Sequence, residues 1–505
     1  MAEEMVTGSA YHEKTGYSRY QMKGGALDWR HQPVLDKSYR GLPVVDCTGK
    51  ARPPGDVSFS EVVASGTPQG KPEAASLEEL AACLGLAYGC TAKSVQGEKA
   101  FYFRSVPSAG ALYPCELYVA TRAVSGLEDG LYHYTAPSMD RQELVRLRSG
   151  VFVRRSDRAA NEDDPALAFF VTVIFFRSAW KYRDRAYRYH LLDAGHLLES
   201  LVLALRSLGW ASRVSLDFSD ERANRFLGLD PEREGCLAMV WVPETAVVDL
   251  EALGDENLGS VQPEASRVSA GERPYELISA VHRTTSVLGR IGVESVDDPL
   301  YGTRIQRWQP FGIEAAWPET FSFVETVQRR RSRRNFVRND IPEAVARALV
   351  SSLWVGFDAS GTGPGRLEPA VWSGFFCRAV AGLKAGFYLL DETRRAVGLV
   401  REGDFLKNSA HVCLDQGWLS RAAFHFVFVI HLESAEDRVG PRVYRHIMLA
   451  AGRLGHRIYL AATALGLGAC GIGAFYDGEA RELLGLGCGE TLLYLVGAGP
   501  LKRSW

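Results

Sequence analysis

Apolar residues recur at Leu191, Ala194, Leu198, Leu201, Leu205 and Leu208, a helical spacing sustained for about six turns within the stretch Trp180 to Trp210. Gly209 follows as a stop signal, because glycine enters the left-handed conformation after a last turn at little cost. The stretch occurs twice. Adding 257 to each number brings Tyr187, Arg188, Gly195, Ala204, Leu208 and Gly209 onto Tyr444, Arg445, Gly452, Ala461, Leu465 and Gly466. The same offset sets ALAFFVTVIFF at 166–176 against AFHFVFVIHLE at 423–433, and RFLGLD at 225–230 against ELLGLG at 482–487. A register held this far without a gap means a duplicated domain.

Other elements repeat with it. Ser76 in SLEELAACLGLAYG, with Glu79 three residues on, predicts a capped amphipathic helix over 76–89, matched by DIPEAVARALVSSLWVG at 340–356. A strand is expected from Glu116 to Thr121, and GLYHY at 130–134 pairs by pattern with GFYLL at 386–390. The run at 166–176 is β-branched and about half a membrane span, so it predicts a buried strand. Each half reads helix, three strands, long helix, short helix, final strand. That is an α+β fold, a mostly antiparallel sheet with packed helices, and two copies suggest an internal pseudo-dimer. The expected boundaries are an N-terminal arm at 1–75, a first domain at 76–242, a linker at 243–274 and a second domain at 275–505. Tyr11-His12-Glu13-Lys14-Thr15 is echoed by Val281-His282-Arg283-Thr284-Thr285. No second histidine stands four residues after His12, so the arm is expected on the surface rather than as a metal helix.

Composition narrows the function. A net charge of −2 offers no field for nucleic acid or an anionic membrane. Nine scattered cysteines without a C-x-x-C pair argue against both a disulfide framework and a zinc site, and suit a reducing cytoplasm. The N-terminus has acids and no apolar core, so no signal peptide is expected. The densest positive charge is Arg329 to Arg334, interrupted by Ser332. A charge run is ordinarily a solvated face, but guanidinium forks beside a hydroxyl also suit a phosphate monoester. Gly466 to Gly471 matches G-x-G-x-x-G literally, yet it ends a helix instead of opening one, which excludes a dinucleotide fold. On spacing alone Lys181-Tyr182 reads as a turn with a solvated lysine, Arg188 and Asp193 as a helix-surface pair, and His190 and His196 as packing positions.

PSAGALYP at 107–114, RRSRRNF at 330–336, the long glycine-containing helix ending ALGLG, and a terminal GAGP followed by Lys-Arg resemble the nitroreductase-fold flavoproteins. The match is closer still to the azoline oxidases, the thiazole- and oxazole-forming dehydrogenases of peptide biosynthesis, in tandem-domain form. The resemblance implies FMN as cofactor, gripped by Arg330, Ser332 and Arg334 and by the terminal pair Lys502 and Arg503. It places the backbone of Gly471, Ile472 and Gly473 beside the flavin N5, and Pro107, Ser108, Ala109 and Gly110 over the ring system. Lys181 and Tyr182 then match the pair that abstracts a proton over the flavin. A lysine acting as base has to be kept neutral, for which burial and Arg183 or Arg185 are candidates.

The copies differ in step with these roles. Ser65 to Gln69 replaces the arginine run in the first half, and Ala211 to Ser215 replaces the glycine-rich segment. In the second half Glu368 to Trp372 replaces the PSAG loop, and Arg438-Val439 replaces Lys181-Tyr182. Flavin-gripping elements are intact only in the second half, covering and catalytic elements only in the first. One FMN per chain is expected, with a small-molecule or peptide-borne heterocycle as substrate and a monomer sufficient for the site. An NAD(P)H-dependent nitro or quinone reductase, and a flavin-free scaffold in a biosynthetic complex, stay open beside that reading.

Overall fold

The duplication holds strand for strand in the computed structural model. The structure describes residues 6–22, 25–64, 75–97, 99–150, 154–155, 166–243, 246–247, 265–288, 305, 307–312, 317–354, 371–378, 380, 382–392 and 394–502. The first sheet has strands β1 (Val44–Asp46), β2 (Cys115–Arg122), β3 (Gly130–Ser138), β4 (Arg141–Ser149), β5 (Ala166–Ile174), β6 (Arg213–Ser215) and β7 (Glu234–Val242). They lie in the order β1-β4-β3-β2-β5-β7-β6. The second has β8 (Arg307–Pro310), β9 (Trp372–Cys377), β10 (Gly386–Asp391), β11 (Ala396–Glu402), β12 (Phe424–His431), β13 (Gly468–Ile472) and β14 (Glu490–Gly499). Their order, β8-β11-β10-β9-β12-β14-β13, is the first with every number advanced by seven. All neighbours in both sheets are antiparallel. Even the irregularities repeat: the β5–β7 register shifts between Val171 and Thr172, the β12–β14 register between Phe428 and Val429. Each sheet has three more strands than the sequence pattern separated, two on one side (β1 and β4, β8 and β11) and one at the other edge (β6, β13).

The helices around the site are α1 (Gly8–Lys14), α2 (Leu77–Tyr88), α3 (Phe175–Tyr182), α4 (Ala186–Ser207), α5 (Glu276–Thr284), α6 (Leu432–Val439) and α7 (Val443–Ala464). The cap expected on α2 is there: the Ser76 hydroxyl accepts from Glu79 N at 3.3 Å and the Glu79 carboxylate accepts from Ser76 N at 3.1 Å. Between α3 and α4 the chain breaks at Arg183, with φ at +51°, and a 3-10 turn at Arg183–Arg185 redirects it. Helices α4 and α7 are each 22 residues long, and all of α7 and all but the last residue of α4 are buried. A helix buried all round explains why polar residues interrupt the apolar face without making a solvated one.

The chain divides into two compact units. One comprises Ala26–Asp56 and Ser65–Leu288 and contains the first sheet; the other comprises Met1–Gly25, Val57–Ala64 and Gly289–Trp505 and contains the second. Much of the stretch 243–274 falls outside the described residues. Helix α1 thus belongs with the second sheet and α5 with the first, and the faint echo between them is structural. His12 Nδ1 lies 3.2 Å from the Tyr444 hydroxyl, and His282 Nδ1 lies 3.1 Å from that of Tyr187. Thr15 and Thr285 close their helices alike, each hydroxyl donating to the carbonyl four residues back, at 2.8 and 2.7 Å. His12 is only 5% exposed, which corrects the surface placement expected of the arm. The physical reason is the Glu436 carboxylate, which accepts from Gly8 N at 2.6 Å and Ser9 N at 2.9 Å and so holds the N-terminus of α1 in place.

Candidate functional site

The residues singled out in the sequence fall into two groups, one in each unit. In the unit of the first sheet they are contiguous. The segment Ser108–Tyr113 runs into β2 and contains three left-handed residues: Gly110 at φ +64°, Ala111 at +54° and Tyr113 at +43°. Gly110 is where α3 reaches it. A Cβ there would stand 2.7 Å from the Tyr182 hydroxyl and 3.1 Å from Lys181 Nζ, so a side chain at this position would push the ends of that pair aside. Lys181 Nζ also lies 5.3 Å from the centre of the Tyr182 ring, and that ring packs on Tyr189 at 4.6 Å. The rest of α3 is fixed from below, with Trp180 Nε1 donating to Asp28 O at 2.8 Å. Lys181 itself is exposed, so the chain does not supply the burial expected around it.

Two buried groups hold this loop, and the sequence reading assigned neither. Asp193 on α4, taken there for a surface residue, is 6% exposed. Its carboxylate accepts from the Ser108 hydroxyl at 2.6 Å and from Ala109 N at 3.2 Å. Burial pushes that carboxyl up to about 7, against the pull of the Ser108 and Ala109 hydrogen bonds. Arg188, its supposed surface partner, is 1% exposed. On the other side Arg177, from α3, donates to Tyr113 O at 3.0 Å and pairs with Glu116 at 2.6 Å. Burial alone would raise the Glu116 carboxyl, but Arg177 and His133 more than offset it and hold it at about 2. His190 and His196 are buried packing positions, and burial lowers His190 to about 3.

In the unit of the second sheet three distant stretches converge. The arginine run leaves a short helix at Arg329 and lies along β13: Ser332 bridges Ala469, and Arg333 N donates to Ala469 O at 2.8 Å. Phe336 bridges Leu501, Val337 N donates to Pro500 O and Lys502 N to Asn335 O, each at 2.9 Å. Tyr459 of α7 ties the group together. Its hydroxyl accepts from Gly471 N at 2.6 Å, lies 3.0 Å from the Ser332 hydroxyl, and its ring is 5.6 Å from the Arg330 guanidinium carbon. The amide of Gly471 is therefore engaged within the fold. A Cβ on Gly471 would stand 1.7 Å from the Tyr494 hydroxyl, so protein packing already requires glycine there. Ile472 is buried and Gly473 half-buried beside it, while Arg503 lies outside the described residues.

A cavity of about 350 Å³ opens here, lined by Arg334, Asn335, Phe336, Trp418, Arg421 and Lys502 among others. Its lining has three cations and no carboxylate, which fits a phosphate dianion. Trp418 and Arg421, on the turn Gly417–Arg421, carry no sequence signal that marks them. Tyr459 and Asp193 do: in the 257-residue register Tyr459 faces Val202 and Asp193 faces Ala450, so each stands only in the copy whose loop it holds. Tyr459→Phe is expected to lose about 1–3 kcal/mol of stability by leaving the Gly471 amide without its acceptor. Urea denaturation measures it, and an unchanged midpoint would refute the role of this hydroxyl.

Among the described residues no group of three or more His, Cys, Asp or Glu is placed to hold a metal, and no helix is long and apolar enough to cross a membrane. All nine cysteines are free thiols.

The doubled antiparallel sheet with helices packed on it defines a protein of the nitroreductase class. The chain belongs to the nitroreductase family, whose model matches residues 71–242 and 382–499, more than half of its length. It is similar over 99% of its length to the crystal structure of a "putative nitroreductase" from Anabaena variabilis, with a TM-score of 0.77 and 25% identity across 100% of that chain. It is 36% identical over 138 residues to a "putative nitroreductase" of Methanocaldococcus jannaschii, a match covering 26% of this chain and 65% of that protein. It is 30% identical over 142 residues to the trifolitoxin-processing protein TfxB of Rhizobium leguminosarum bv. trifolii, covering 27% of this chain and 38% of the relative. The chain thus spans less than two thirds of either curated relative.

Proposed function

We propose that the protein is an FMN-dependent dehydrogenase that aromatises an azoline ring, either free or carried on a peptide. The observation that carries this reading is the approach of Lys181 and Tyr182 to Gly110, which gathers a base, a phenol and a glycine loop at one point. A nitro or quinone reductase needs only flavin and a hydride donor, and has no use for that pair. One relative is a trifolitoxin-processing protein, and processing of that kind supports a substrate carried on a larger molecule.

In this reading Arg334 and Lys502, which line the cavity with Trp418 and Arg421, hold the FMN phosphate, while Arg330 and Ser332, outside that lining, are assigned to the ribityl chain. FMN, when bound, supplies the hydride acceptor. The protein's share is proton handling and placement. Lys181 Nζ takes the proton from one ring carbon while the adjacent carbon gives up a hydride, so the dihydro ring loses two hydrogens and becomes aromatic. Tyr182 Oη donates a hydrogen bond to the ring nitrogen and orients it. The Ser108–Gly110 loop fixes where the ring lies.

One measurement pair tests this. Flavin released by denaturation is expected at one FMN per chain, and two per chain would overturn the division of roles between the copies. A thiazoline-bearing peptide is expected to lose two hydrogens by mass spectrometry. If the protein instead oxidises NADH rapidly with a nitrofuran or quinone, equally well after Lys181→Ala, it is a reductase.

A further inference from the structure

The segment Ser108–Tyr113 holds two non-glycine residues in the left-handed region, Ala111 and Tyr113. Such a conformation is strained for a residue with a side chain and persists only where its surroundings over-determine it. Here the surroundings are few and specific. The Asp193 carboxylate takes the Ser108 hydroxyl and the Ala109 amide, and the Ser108 oxygen in turn accepts from Tyr113 N at 2.9 Å. Tyr113 is then gripped twice more, by Arg177 at its carbonyl and by Arg104 N, which donates to its hydroxyl at 3.1 Å. The loop so held has Gly110 at its apex, against Lys181 and Tyr182.

We infer that Asp193 is a positioning residue: it locks the Ser108–Tyr113 loop in its strained form and thereby sets where Lys181 Nζ and Tyr182 Oη stand. This rests on the reading of that pair as the catalytic one. Three independent features agree. The carboxylate is buried and aimed at the loop alone among the hydrogen bonds that define it. It sits where the other copy has Ala450, and that copy has Glu368 to Trp372 in place of the loop and Arg438-Val439 in place of the pair. A buried carboxyl raised to about 7 destabilises the fold at neutral pH, so packing alone does not account for it.

The test uses the full chain and neither flavin turnover nor substrate. Amide hydrogen exchange is followed over 106–114, with 191–205 of α4 as internal control, in the native protein, Asp193→Ala and Asp193→Asn. Acetylation of Lys181 by a water-soluble succinimidyl ester is scored against the exposed Lys93. In Asp193→Ala the loop is expected to exchange at least tenfold faster and the Lys181 to Lys93 labelling ratio to change at least twofold, with α4 unaltered. Asparagine, which keeps an acceptor at the same place, is expected to restore most of both. Loop exchange as slow in Asp193→Ala as in the native chain, or asparagine no better than alanine, overturns the inference. Should Asp193→Ala fail to fold, Ser108→Ala removes the same link from the loop side and must loosen 106–114 to the same degree; if it does not, the inference falls. A loosened loop in a protein that oxidises no thiazoline would sink the dehydrogenase reading and leave only the locking of the loop by Asp193 standing.

Discussion

Lys181→Ala is expected to slow thiazoline oxidation by about 10²–10⁴-fold, the usual worth of a positioned general base. FMN content should not change, because the residues that would hold the cofactor belong to the other unit. The magnitude is argued from geometry. Lys181 and Tyr182 end α3, and both side-chain ends lie within 3.1 Å of where a Cβ on Gly110 would stand. Lys181→Arg should rescue little, since a guanidinium stays charged and cannot take a proton. Rates at saturating peptide, with flavin absorbance recorded on the same samples, measure both effects. A variant with full turnover would remove Lys181 from the mechanism, and a colourless one would make it a structural residue.

Asp193→Asn is expected to stabilise the protein above pH 7 and to change little below pH 4. The sign follows from the raised carboxyl. Below the ordinary aspartate range both folded and unfolded chains hold the proton, and the residue is neutral to stability. Between that range and about 7 the unfolded chain releases its proton while the folded one keeps it, so stability falls as pH rises. Above 7 both are ionised and the loss is complete, on the order of 4 kcal/mol at most. Asparagine has no such loss, though it gives back part of the gain with the weakened Ser108 hydrogen bond. Its charge also registers in the Cys115 thiol on β2, itself pushed up first by burial. Thermal melts at pH 4 and pH 8 decide the matter: an asparagine variant with the same difference at both would show that this carboxyl titrates normally.

The fold was largely legible because duplication doubles the signal. A single run such as ALAFFVTVI is ambiguous between strand and buried helix, but its match to AFHFVFVIH in register makes it one strand seen twice. The edge strands Val44–Asp46 and Arg307–Pro310 were not, because three or four residues pairing on one side leave no period to read. At the site, motif residues stand out by themselves, whereas the supports Tyr459 and Asp193 are marked only by the difference between the two copies. Ser332, Gly471 and Lys502 stand in recognisable strings, whereas Tyr459 reads as one more apolar position on a buried helix until its hydroxyl is seen between Ser332 and Gly471. Asp193 was misread for a physical reason: an acid on a long helix is normally solvated, and only a neighbouring loop rich in donors makes its burial tolerable.

The exchange of leading helices has a practical meaning for anyone who cuts this chain. The repeat ends where the sequence pattern ends, but the contacts do not. A fragment stopped at residue 242 would keep Tyr187 and leave out His282, its hydrogen-bond partner on α5. A fragment begun at residue 275 would carry α5 without the sheet it belongs to, and would lack α1 and the His12 that meets Tyr444. Two copies of one module have exchanged the short helices at their starts, seven residues in one and nine in the other, so a cut between the repeats parts each helix from the unit it belongs to.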